Sequence, residues 1–420
     1  MKINPFLIYS MIIILFATGC DKDKNDPADD PENPKDGISG PVSGIWSKGK
    51  TYIIAGHLEI PEGKSLTIEE GVKVIMNDSI IETELIIKGD LYCLGTEANP
   101  VLFTVPDSWK TKAHLFGNLW GGLVAAPSSG AVVLQHTILE YGGAATTEES
   151  PSVKAALYKA TAGKHLPALY YGNVNGKFVV VNSTIRNFYD DALYVEGGKT
   201  IIANNIFYAV GAPADDAINL KSGVIADVAF NLIYSPNTSG LKLSNEGERS
   251  PQLYVIGYNN TIINGGWRRP TIKGGSIWVE KGVRVGLYNN MIANDRFGIK
   301  RDKGNPEDNR SEFYNTFYYG YTQQTVDQFQ PSIEIIAGIY DIIGKNAGDN
   351  DPEFVNYPLS TDLYNADFNS SWDFHLQTGS PALNKGKTDF TRHFAEGIIV
   401  NGITYKSPAP ANYMGAFGTV

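Results

Sequence analysis

Polar and apolar residues alternate in short bursts along this chain, and each burst ends at Gly, Asn or Asp. One unit shows the pattern. Strands are predicted at residues 192–196, 200–204 and 206–208, and a longer turn at 209–216 precedes the next unit. Runs of this length, rich in β-branched and aromatic side chains and bounded by turn formers, read as strands. Beyond residue 50 no stretch carries a sustained helical stripe of apolar residues. One phrase, a polar residue, a spacer and an apolar residue, recurs at seven points. These are His136-Thr137-Ile138, Ser183-Thr184-Ile185, Asn205-Ile206-Phe207, Asn231-Leu232-Ile233, Asn260-Thr261-Ile262, Asn290-Met291-Ile292 and Asn315-Thr316-Phe317. Past the first interval the spacings are 22, 26, 29, 30 and 25 residues. A period of that size predicts a solenoid, whose units bury their apolar faces only against one another. The recurrent Asn residues are expected to stack along one turn, each amide bonded to the coils beside it.

The first interval, 183−136 = 47, is too long for one coil. It predicts a loop insertion near 143–166, which is either the lip of a binding face or a tolerated surface excursion. After Asn315 the repeat fades, so residues 321–420 are expected to form irregular last coils and a C-terminal cap that shields the open edge. The solenoid proper is assigned to 45–320. Charged residues make up only 19%, with 44 Gly and 23 Tyr, a balance that fits short strands and tight turns. The net charge of −10 argues against nucleic-acid binding, and the absence of a Gly-rich phosphate loop argues against nucleotide chemistry. The six histidines are too scattered for a zinc site. Cys93 lies in an apolar run and is expected to pack inward.

At the N-terminus, Lys2 precedes an apolar run at 6–16 that is too short to span a bilayer. Residues 1–19 read as a secretion signal. Ala17-Thr18-Gly19-Cys20 resembles a bacterial lipobox, which implies lipidation of Cys20 and a membrane contact made through that anchor alone. The charged, Pro-rich stretch 20–44 is expected to be a disordered tether. Acidic residues so close to the cysteine resemble the surface-export signal of Bacteroidota lipoproteins, although Asp21 also resembles an inner-membrane retention signal of enterobacteria. The expected location is the outer membrane or cell surface.

The coil lengths, together with Tyr52-Ile53-Ile54-Ala55-Gly56, Leu66-Thr67-Ile68-Glu69-Glu70-Gly71-Val72, Trp120-Gly121-Gly122-Leu123 and Ser380-Pro381-Ala382-Leu383, resemble a right-handed parallel β-helix of the pectate-lyase-like superfamily. The resemblance covers about 45–420. It implies an all-β fold, a three-sheet solenoid with an irregular C-terminal cap, and a substrate groove over the first strand of each coil. Strand alternation turns Leu193, Val195, Ile218 and Leu220 inward. The outward row is then Tyr170, Tyr194, Asn219, Lys242, Trp278 and Lys300, with Lys221 and Arg301 close by. Aromatic faces beside amides and cations suit a polysaccharide, and this set is the candidate binding surface; the alternative is aromatics that merely line a half-exposed sheet.

Two acidic pairs, Asp190-Asp191 and Asp215-Asp216, sit 25 residues apart at the start of adjacent first strands. Like charges that close need a cation, a hydrogen bond or a shared proton. Three readings stay open: solvated turn acids, a calcium site of hard oxygen ligands, and an acid–base pair for glycoside hydrolysis. Asp215-Asp216-Ala217-Ile218 resembles the Asp-Asp motif of polygalacturonases, and Gly298-Ile299-Lys300 is similar to their Arg-Ile-Lys motif. Their Asn-Thr-Asp and Gly-His-Gly motifs are missing here. The catalytic candidates are Asp191, Asp216 and Lys242. Gly266-Trp267-Arg268-Arg269-Pro270 is either an anion clamp or a structural turn. The leading expectation is polysaccharide binding or adhesion at the cell surface. The alternatives are a lyase or hydrolase acting on an acidic glycan, and a spacer with protein partners.

Overall fold

The computed structural model describes residues 37–78 and 80–420. The signal at 1–19, Cys20 and the tether as far as residue 36 lie outside the described residues. The rest is a right-handed parallel β-helix. Each coil contributes a first, a second and a third strand; in one middle coil these are Leu193–Val195, Gly198–Ala203 and Ile206–Val210. The second strands form a parallel sheet of 10, running from Gly44–Trp46 to Glu312–Tyr314. The first- and third-strand sheets are joined at the bottom by the long strand Thr51–Ile60. Its early residues pair with Lys73–Met76 and its late ones with Leu85–Ile87, so one strand turns the corner between two sheets. Among the described residues helix is confined to Pro151–Lys154, Gln323–Asp327 and two 3₁₀ turns.

The solenoid starts earlier than the sequence suggested. Ile38–Pro41 already forms a first strand paired with Thr51–Ile60, so residues 38–44 belong to the first coil and not to a tether. The alternation Ile-Ser-Gly-Pro is weak, and it is the neighbouring coil that supplies the partner for its backbone.

The lumen is filled by the inward set, Leu193, Val195, Ile218, Leu220, Leu241, Leu243, Ile277 and Val279, all at most 1% exposed. Cys93 packs inward in an earlier coil of the same core, and burial pushes its thiol pKa well up. One turn carries a polar ladder. Asn205 donates to Asn231 Oδ1, Asn231 to Asn260 Oδ1 and Asn260 to Asn290 Oδ1, each at 2.9 Å. Each Oδ1 also accepts a backbone N–H from the preceding rung, so no buried amide is left unpaired there. At both ends the ladder departs from the sequence phrase by one residue. Ile138 pairs with Thr184 and Met291 with Phe317, which puts Thr137 and Thr316 on the rungs. His136 and Asn315 instead occupy the left-handed turn position before it, at φ 43° and 52°.

The C-terminal part does more than shield an end. Residues around Ile335, Ile339 and Ile342 bridge to the last regular coil. Beyond them the chain doubles back along the outside. Phe354, Tyr357, Phe374, Leu376 and Met414 cover the third-strand sheet, while Phe394, Ile398, Val400 and Tyr405 cover the second-strand sheet of the middle coils. Asp227, on the second sheet, anchors this return by accepting from His393 N at 3.0 Å and Phe394 N at 2.8 Å. Two of the three outer faces are thereby covered over part of their length. The first-strand sheet is left to the insertion and the turns.

Candidate functional site

Register places the outward row in line across six coils: Tyr170, Tyr194, Asn219, Lys242, Trp278 and Lys300 are consecutive Cα partners. Their surroundings divide them. The insertion folds back over the first-strand sheet, and its Leu157, Tyr158 and Leu166 pack with Tyr170 and Tyr194 in a small apolar cluster. Tyr170 and Tyr194 are 5% and 8% exposed, and the Tyr170 hydroxyl donates to Glu196 at 2.9 Å. Both rings are therefore spent on packing the insertion, because a tyrosine on a β-sheet buries readily against another. Neither offers a free face to a sugar.

Past Tyr194 the row opens into a cleft of about 250 Å³. Asp191, Asp215, Asp216, Asn219, Ser239, Lys242 and Trp278 line it from the sheet and the turns that enter it. Tyr158 and Lys164 of the insertion close one side, and Arg269 and Lys273 of the 264–274 turn close the other. The acids sit where the turn meets the first strand, and backbone hydrogen bonds fix them there. Asp191 Oδ1 accepts from Asp216 N at 2.5 Å, and Asp216 Oδ1 accepts from Ser239 N at 2.9 Å. Each carboxylate thus caps the turn of the next coil, as an Asp at a turn commonly does. Asp190 Oδ1 accepts from the Tyr158 hydroxyl and from Asp191 N, and Lys164 Nζ stands 3.7 Å from its other oxygen. Asn219 Nδ2 donates to Asp191 Oδ2 at 3.0 Å. The Asn219 Oδ1 atom is buried in the same place without a hydrogen-bond partner.

Burial is the main force on these acids and raises every pKa. At Asp191 the charges of Asp190 and Asp216 push it further, well above the carboxylate range. At Asp215 burial, then Asp190 and Asp216, take it to about 8. Lys164 opposes the rise at Asp190, and Lys242 and then the Ser239 hydroxyl and N–H oppose it at Asp216. Asp215 therefore keeps its proton at neutral pH unless the cluster accepts a cation. Asp190, Asp191 and Asp215 can each bring an oxygen within 4.8 Å of the other two, a spacing that can hold a metal ion. Asp216 falls outside that trio.

The cations of the row carry fixed partners. Lys242 Nζ is 2.8 Å from Glu280 Oε1 and 4.8 Å from the centre of the Trp278 ring. Burial opposes ionisation of Glu280, yet Lys242 leaves its pKa below the ordinary value. Lys221 pairs with Glu246 at 3.1 Å, Lys300 with Glu334 at 3.4 Å, and Arg301 with Glu307. Lys221, Lys300 and Arg301 do not line the cleft; of the row, Asn219, Lys242 and Trp278 do, together with Tyr194, whose ring Tyr158 packs edge-on at 4.9 Å.

The turn at 266–270 splits its two arginines. Arg268 donates to the backbone carbonyls of Val210, Gly211 and Ser235 at 2.7–2.9 Å, which makes it a structural clamp. Arg269 faces the cleft and donates to Thr238 Oγ1 at 2.7 Å. Tyr158, Lys164, Ser239 and Lys273 were not among the sequence candidates. Ser239 was within reach, since it stands 23 residues past Asp216, one coil away. The other three reach the site only through the paths of two long turns, which no local pattern encodes.

No curated protein and no solved structure matches the chain. The family model described as a pectate-lyase like beta helix domain matches residues 41–317, from the first coil to the last regular third strand, and the chain belongs to that family.

Proposed function

We propose that this protein engages an extended polysaccharide at the cleft between the insertion and the 264–274 turn, as a binding or adhesion protein held at the cell surface through lipidated Cys20. One observation carries the reading. A short polar cleft on the first-strand sheet gathers Asn219, Lys242, Trp278, Arg269 and buried carboxyl groups around one small volume. Carboxylic acids and amides exchange hydrogen bonds with sugar hydroxyls, and an indole offers a stacking face. The unpartnered Asn219 Oδ1 favours a ligand that brings a hydroxyl donor. Calcium suits the oxygens of Asp190, Asp191 and Asp215, and it would cancel their mutual repulsion.

Binding is preferred over turnover because the catalytic candidates are already engaged. Asp191 and Asp216 each accept a backbone N–H on one oxygen, and Lys242 is ion-paired to Glu280. A lyase base must be free to lose its proton. One residue supports a second reading, hydrolysis: Asp215, with a pKa near 8, is a carboxylic acid able to protonate a leaving oxygen.

The test incubates the protein with polyuronides, sulfated glycans and neutral glycans, with and without calcium. Retention on immobilised glycan is followed alongside new reducing ends and unsaturated products. Retention without products fits binding. Products that vanish in Asp215→Asn establish the hydrolase instead, and silence in both assays across the panel removes the glycan reading.

A further inference from the structure

A second cavity lies on a different face, between the outer side of the second-strand sheet and the returning chain near residue 390. Its volume is about 400 Å³. Arg284 stands on its wall, paired in register with Tyr254, and its guanidinium lies 4.1 Å from the centre of that ring. Among the described residues this guanidinium makes no ion pair, and its Nε is buried without a hydrogen-bond partner. A buried arginine donor left unpaired is costly, and the guanidinium that carries it stands on the cavity wall. The other cations there are tied: Arg310 to Asp308, and Lys387 to Asp389. Aromatic rings complete the wall, with Phe390 stacked on Tyr288 at 4.0 Å and Lys387 set 5.3 Å from the centre of the Tyr314 ring.

We infer that this cavity is an oxyanion site, in which Arg284 receives a carboxylate or sulfate group of a ligand whose ring rests against the tyrosines. The guanidinium fork matches two oxygens of such a group, and stacking on Tyr254 presets its plane. The site is separate from the cleft on the first-strand sheet, and it stands or falls independently of the glycan reading of that cleft.

The test uses the full chain, ¹⁵N-labelled, at constant ionic strength. Arginine Nε–H resonances are followed by NMR during titration with glucuronic acid, inorganic sulfate and glucose, and the Arg284 signal is identified by its loss in Arg284→Gln. A saturable shift with glucuronic acid or with sulfate, and none with glucose, supports the site. A response to the sugar acid alone assigns it to a carboxylate-bearing sugar, and a response to both assigns it to oxyanions generally. In Arg284→Lys the charge remains but the fork is gone, and affinity, read for both proteins by titration calorimetry, is expected to fall at least tenfold at an unchanged melting temperature. No saturable shift with either anion, an equal shift with glucose, or undiminished affinity in Arg284→Lys overturns the inference.

Discussion

Asp215→Asn should remove a pH dependence that the wild-type cleft imposes on stability. Asp215 has a pKa of about 8 in the folded chain against an ordinary 3.8, raised first by burial and then by Asp190 and Asp216. The folded chain therefore keeps a proton that the unfolded chain releases. Its contribution to stability is complete below pH 4 and is lost as pH rises toward about 8. A shift of that size, at about 1.4 kcal/mol per unit, sets a ceiling of about 6 kcal/mol. Asp215 is partly open to the cleft and shares its repulsion with three neighbours, which reduces the effect to about 2 kcal/mol. Burial acts oppositely on His57 and His393, whose lowered pKa values make stability rise with pH up to about 6.5. The informative quantity is thus the difference between variant and wild type. Thermal unfolding followed by circular dichroism from pH 5 to 8, with EDTA present, should show Asp215→Asn gaining on wild type as pH rises. The gain should reach a few degrees at pH 8. Parallel pH profiles for the two proteins would refute the reasoning, as would an Asp215→Asn profile that falls faster.

The remaining predictions concern other parts of the account. Asn231→Ala strands the Asn205 N–H and removes the amide contacts to Asn205 Nδ2 and the Ile202 carbonyl, and should cost about 3–5 kcal/mol in urea unfolding. Arg268→Met removes three carbonyl contacts and should cost about 2–4 kcal/mol, whereas Arg269→Met should leave unfolding within about 0.5 kcal/mol of wild type while weakening glycan retention. With calcium seated on the acidic trio, adding the ion at pH 8 should raise the melting temperature of wild type and not of Asp215→Asn.

Where the chain repeats, its sequence was a good guide. The row from Tyr170 to Lys300 follows from alternation and spacing alone, because parallel pairing holds equivalent residues side by side. The ladder slipped by one at His136 and Asn315, where the turn residue and the rung are both polar and spacing cannot distinguish them. The length of the insertion was legible, but its path was not. That Tyr158 would cover Tyr170 and Tyr194 depends on tertiary packing, and so two apparent sugar platforms are packing residues. The return of the chain to Asp227 joins residues 166 and 167 positions apart, a distance over which no local preference acts.

The most direct test of the glycan cleft is a crystal structure of the protein with the best-retained oligosaccharide of the panel. The account predicts sugar density between the insertion and the 264–274 turn, against Trp278 and within hydrogen-bonding distance of Asn219. An oligosaccharide bound elsewhere, with the cleft holding only water, would contradict it.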